Sequence, residues 1–168
     1  MGVGVRLACD LGSSRIGMAR CDPQGLLATP LPAVPAGPGA HAAVVELAVQ
    51  AGAIEIVVGL PLRLDGSAGP AAHQAEEWAQ ALREVLLSAG QSIQVRLVDE
   101  RLTTVQAQRG LHAAGRSTRT SRQRIDSASA VVLLQGYLDR LQGQQVLGGE
   151  PVVQHEQTVQ QDDMDGDR

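Results

Sequence analysis

The sequence predicts an α/β domain, a mixed five-stranded sheet with helices on both faces. Three observations lead there. The chain opens with three short strand-like segments joined by tight turns. Two further strand-like segments then alternate with amphipathic helical stripes. At 168 residues and 43% hydrophobic content, the chain is long enough for one sizeable core.

Residues 5–9 form an apolar run that reads as a buried strand. The Gly12-Ser13-Ser14 turn sends the chain back through 16–21 as an antiparallel hairpin. Asp22-Pro23-Gln24-Gly25 is a second tight turn, with Pro at its i+1 position and Gly at i+3. A third strand over 26–29 is expected to end at Pro30 and Pro32, and the Pro- and Gly-dense stretch 32–39 reads as a loop. Ala40, Ala43, Val44, Leu47, Ala48 and Ala51 fall at helical spacing. Residues 54–60 are nearly all apolar, as a parallel strand covered on both faces should be. Ala75, Trp78, Ala79, Leu82, Val85, Leu86 and Ala89 make a second helical stripe, and 93–98 alternates as a strand. A helix is expected over 104–113, then a polar Arg/Ser/Thr loop, then a last helix over 126–141. A meander followed by two crossover units is an arrangement that resembles the ribonuclease H-like fold. The expected domain is 1–142, and 143–168 reads as a disordered, acidic, Gln-rich tail.

Composition narrows the function classes. Aromatic residues are nearly absent, with Trp78, Tyr137 and no Phe, so the stacking platforms of many single-strand binders are missing. All 14 basic residues are Arg, a side chain suited to bidentate phosphate contact. The net charge of −4 is unevenly placed: the residues after Gln142 carry −5, leaving the domain at about +1. Between Glu100 and Asp126 lie Arg101, Arg109, Arg116, Arg119, Arg122 and Arg124 with no acid among them, either a phosphate-contacting surface or a solvated loop. No apolar run approaches the ~20 residues of a membrane helix, and no signal peptide is evident, so no membrane partner is expected. Cys9 and Cys21 make neither a disulfide framework nor a metal-ligand spacing, and a cytoplasmic, reduced protein is the simplest account.

Three carboxylates stand in unusual company. Asp10 ends an apolar strand and opens a Gly-rich turn, where an Asx turn would also explain it. Asp126 shares a helical stripe with Ala130, Leu133, Leu134, Tyr137 and Leu141, although an Asp in a first turn can simply cap amides. Glu100 follows Asp99 at the end of a strand. Asp99 shares parity with Ile93, Val95 and Leu97, and Glu100 with Arg96 and Val98, so alternation leaves open which of the two faces a site. Acids at the ends of buried elements are costly without a cationic partner. Three that converge suggest a divalent metal and phosphate chemistry.

Four motifs occur in order: Asp10-Leu11-Gly12-Ser13-Ser14-Arg15-Ile16-Gly17-Met18-Ala19; Val58-Gly59-Leu60-Pro61-Leu62 with Asp65-Gly66-Ser67; Val98-Asp99-Glu100-Arg101-Leu102-Thr103-Thr104; and Ile125-Asp126-Ser127-Ala128-Ser129-Ala130. Together they resemble the YqgF family, which is similar to Holliday-junction resolvases and is described as nucleases of precursor 16S ribosomal RNA. The likeness runs from about Val5 to Leu141. Ser14 and Cys21 depart from the common pattern, where a basic residue and a Ser are frequent. The resemblance implies a ribonuclease H-like fold and maps metal-binding acids onto Asp10, Glu100 and Asp126.

The implied reaction is phosphodiester hydrolysis with one or two Mg²⁺ or Mn²⁺ ions. Asp10 would bridge the ions, and Glu100 and Asp126 would complete the shell. Arg15 and Arg101 would neutralise phosphate, and Arg116, Arg119, Arg122 and Arg124 would hold the flanking strand. The implied substrate is structured precursor ribosomal RNA. A branched DNA junction is the alternative, and symmetric cutting of one would favour a homodimer. Two other classes compete: a non-catalytic RNA-binding factor, and an actin-like ATPase or sugar kinase by fold-level analogy of Asp10-Leu11-Gly12-Ser13-Ser14.

Overall fold

β1 (Val5–Leu11) and β4 (Ala53–Leu60) are apolar except at Arg6, Asp10 and Glu55, because both are inner strands covered on both faces. The computed structural model describes residues 3–102 and 127–147. β1 runs into β2 (Arg15–Cys21) and β3 (Ala28–Pro35) as an antiparallel meander. α1 (Ala40–Gln50) then returns the chain to β4, parallel to β1, and α2 (Pro70–Ser88) returns it to β5 (Gln94–Asp99), parallel to β4. The single five-stranded sheet has the order β3-β2-β1-β4-β5. A 3-10 turn (Glu100–Leu102) follows β5, and α3 (Ala128–Leu147) is the last described helix.

Strand alternation sends side chains to two separate cores. Leu7, Cys9, Met18, Ile56 and Val58 pack with Val44, Ala79, Leu82 and Leu86 of α1 and α2. Ala8, Ala19, Val57 and Val98 pack on the opposite face with Ala130, Leu133, Leu134 and Leu138 of α3. The mixed sheet and helices on both faces expected from the sequence are therefore present. No helix of the described residues is long and apolar enough to cross a membrane.

Two elements run six residues beyond their expected ends. β3 does not end at Pro30 but continues through Pro32 to Pro35, taking in much of the expected loop. It is an edge strand paired only with β2, so a residue without an N–H can turn its nitrogen outward and leave the ladder intact. α3 runs to Leu147, six residues beyond the expected end at Leu141. The helix expected over 104–113 and the residues 148–168 of the expected tail lie outside the described residues.

Candidate active site

Asp10 is two residues beyond Ala8, so its side chain emerges on the α3 face near the end of β1. Opposite it in β2 stands Gly17. The β1–β2 hairpin closes with Gly12 N–H donating to Arg15 C=O at 3.0 Å. A Cβ on Gly12 would strike that carbonyl oxygen, which explains the Gly in the turn. An open cleft of about 290 Å³ adjoins this hairpin, lined by Asp10, Gly12, Ser13, Ser14, Arg15 and Gly17.

Glu100 reaches the same place from the other side. Val98 belongs to the α3 face, and Glu100, two residues on, follows it. Its carboxylate lies directly on Gly59, where any Cβ would overlap it. There it lies beside the Asp10 side chain, close enough for the two carboxyls to share a hydrogen bond when one is protonated. Burial, then the charge of Asp10 and that hydrogen bond, push the Glu100 carboxyl up to about 7.

The neighbouring acid does something else. Asp99 pairs in register with Leu60. Its carboxylate takes the Arg101 guanidinium, with Nη2 to Oδ2 at 2.6 Å, and this hydrogen bonding holds Asp99 below the ordinary carboxylate range. Between the two acids that alternation left open, Glu100 is the one beside Asp10. The sequence could not decide this, because the answer depends on which face α3 covers. Gly59 stands in the second motif, whose spacing alone assigns it no role. The signal for it was a Gly inside a buried strand, which marks close approach by another group.

Two carboxylates in hydrogen-bonding contact do not both ionise readily unless a cation lies between them. An all-oxygen donor pair of this kind fits a hard divalent ion such as Mg²⁺ or Mn²⁺. Among the described residues no group of three His, Cys, Asp or Glu side chains is assembled. Asp126, Arg116, Arg119, Arg122 and Arg124 lie outside the described residues, as does Arg109. Ser127, which directly follows Asp126 in sequence, is fully buried, and its hydroxyl accepts from Met18 N–H at 3.1 Å and donates to Leu31 C=O at 2.7 Å. Met18 is the residue after Gly17, so this attachment is one residue along β2 from the cross-strand partner of Asp10. Arg15 is exposed and lines the cleft; Arg101 pairs with Asp99 and with backbone carbonyls of the β4–α2 loop.

Residues 4–140 match the model of a family described as "RuvX: Holliday junction resolvase". A protein of Kineococcus radiotolerans named "Putative pre-16S rRNA nuclease" is 51% identical over 139 residues, 81% of this chain and 72% of the relative. A protein of Streptomyces avermitilis with the same name is 46% identical over 138 residues, covering 81% of this chain and 86% of the relative. Among solved structures, Thermus thermophilus RuvC in complex with Holliday junction substrate superposes with a TM-score of 0.56. Identity there is 15%, with 83% of this chain and 96% of RuvC covered, a likeness of fold.

Proposed function

This chain belongs to the RuvX family, described as Holliday junction resolvase, and from that premise we propose that it is a divalent-metal-dependent nuclease of precursor 16S ribosomal RNA. The observation that carries the reading is the Asp10–Glu100 carboxylate pair at the ends of β1 and β5, with Gly59 leaving room for it. Asp10 and Glu100 would hold Mg²⁺ or Mn²⁺, with Asp126 as the third ligand. When bound, the ion supplies an activated water and stabilises the leaving oxygen of an in-line displacement.

The chain's own groups do the rest. Gly59 and the strand ends fix the two carboxylates before substrate arrives. Ser13, Ser14 and Arg15 line the cleft beside Asp10, and their side chains would donate to phosphate oxygens there. Arg116, Arg119, Arg122 and Arg124 would contact phosphates of the flanking strand, a role that strengthens binding without reading sequence.

The test is cleavage of a labelled 5′ region of precursor 16S RNA by the full chain with Mn²⁺ or Mg²⁺, beside Asp10→Asn. Cutting by the parent is expected, with loss in the variant by at least about a hundredfold while RNA affinity is retained. Equal behaviour of parent and variant would favour a binding factor without turnover. The family description favours a second substrate, so a four-way DNA junction of matched concentration runs alongside. Preferential cutting of the junction would overturn the RNA assignment and leave the metal chemistry standing.

A further inference from the structure

Arg101 uses all three guanidinium nitrogens within the protein. Nε donates to Asp99 Oδ1 at 3.0 Å and Oδ2 at 3.1 Å, and Nη2 donates to Oδ2 at 2.6 Å. Nη1 donates to the carbonyl oxygens of Arg63 at 3.2 Å and Leu64 at 3.3 Å. The Arg101 backbone N–H also donates to Asp99 Oδ1 at 2.9 Å, closing the chain around Glu100. An isolated ion pair this exposed would contribute little. A planar fork that joins a carboxylate to two backbone carbonyls is different, because it fixes geometry as well as charge.

The loop it grips is itself ordered. Gly66 N–H donates to Arg63 C=O at 2.8 Å and Arg63 N–H to Ser67 C=O at 3.0 Å. Asp65 Oδ1 accepts from both Ser67 N–H at 2.9 Å and Ser67 Oγ at 2.6 Å. Gly66, at φ +87°, lies under the guanidinium, in a conformation that a side chain would strain. This loop leaves the end of β4, and Gly59 of β4 is the floor under the Glu100 carboxylate. One guanidinium thus ties the segment after β4 to the turn after β5, on either side of Glu100.

We propose that Asp99 and Arg101 form a positioning pair that locks the Glu100 turn to the 61–69 loop and so keeps the Glu100 carboxylate on Gly59 beside Asp10. Arg101 is then a positioning residue and not a phosphate contact. As far as cleavage is concerned, the inference rests on the nuclease reading above; the geometry of the lock does not.

Asp99→Asn, Arg101→Gln and Arg101→Lys separate the possibilities in the full chain, read by amide exchange of the 61–69 backbone, by RNA affinity across salt, and by cleavage. All three variants should exchange faster over 61–69. Each should lower kcat by about ten- to a hundredfold, with RNA affinity and its salt slope unchanged. Lys keeps the charge without the fork, so it should not rescue. Two outcomes overturn the inference. One is unchanged exchange in every variant. The other is weaker binding with a flatter salt slope in Arg101→Gln, restored by Lys and absent from Asp99→Asn, which is the behaviour of a phosphate contact. If the parent cuts nothing, the nuclease reading fails, and the exchange data still decide the pair.

Discussion

At Glu100 the protein holds an acid where it is poorly solvated and faces another acid. Its carboxyl rises from an ordinary 4.5 to about 7 through burial first and Asp10 second. The value in the folded state lies above that in the unfolded chain, so the linked stability is fully present below about 4.5 and is lost as pH rises through about 7. Without divalent ions, the parent should lose stability across that window, by less than the full shift implies because solvent screens the half-buried pair. Glu100→Gln should lack the loss and exceed the parent at pH 8. Urea midpoints at pH 5 and pH 8 in chelator decide it, and a variant less stable than the parent at pH 8 would refute the strained pair. That Asp10 and Glu100 matter was legible in the motifs that carry them. Which of Asp99 and Glu100 turns to the site was not, since period-2 alternation gives two faces without saying what covers each. Arg101 read as a cation available to phosphate, because sequence cannot show that Arg63 and Leu64 carbonyls, some 38 and 37 residues away, have taken its Nη1.

Among the elements, α3 shows how a polar residue can substitute for missing strand pairing. The β2–β3 ladder slips between Ile16 and Met18. At that slip, Ser127 just before α3 bridges Met18 N–H and Leu31 C=O. Further along, Gln135 accepts from Ala28 N–H at 2.9 Å and donates to Leu26 C=O at 3.0 Å, and Gln142 donates to Gly25 C=O at 3.1 Å. Ser127→Ala removes the partner of two backbone groups at a fully buried position. It should cost about 1–3 kcal/mol, seen as a lower urea midpoint with an unchanged m-value. A midpoint within error of the parent would show that water replaces the hydroxyl. The apolar stripe of α3 was readable from its spacing, and Leu133, Leu134 and Ala130 are buried as that stripe requires. The Pro-rich β3 was cut short in the sequence because Pro30 and Pro32 read as breakers until the strand's place at the sheet edge is known.

Across the whole molecule, β1, β4, β5 and α3 meet at one buried carboxylate. Glu55, 5% exposed in an otherwise apolar strand, lies 3.5 Å from Arg6 Nε and 2.9 Å from Arg96 Nε. Tyr137 of α3 donates its hydroxyl to Glu55 Oε1. Burial and Glu55 both push the Tyr137 phenol upward, so it stays a neutral donor at any working pH. A buried ion cluster of this kind is weak proof of stability when compared with an apolar core, yet removing one member strands the charges that remain. Glu55→Ala should therefore lose about 3–5 kcal/mol, whereas Tyr137→Phe, which deletes one hydrogen bond, should lose about 1–2 kcal/mol. The two losses should fall short of additive in the double variant, because Tyr137 has no carboxylate to meet once Glu55 is gone. Urea unfolding of the four proteins tests this cycle. Additive losses would mean that the cluster ties the strands to one another without the helix, leaving α3 held by its apolar stripe and by the Ser127 and Gln135 hydrogen bonds.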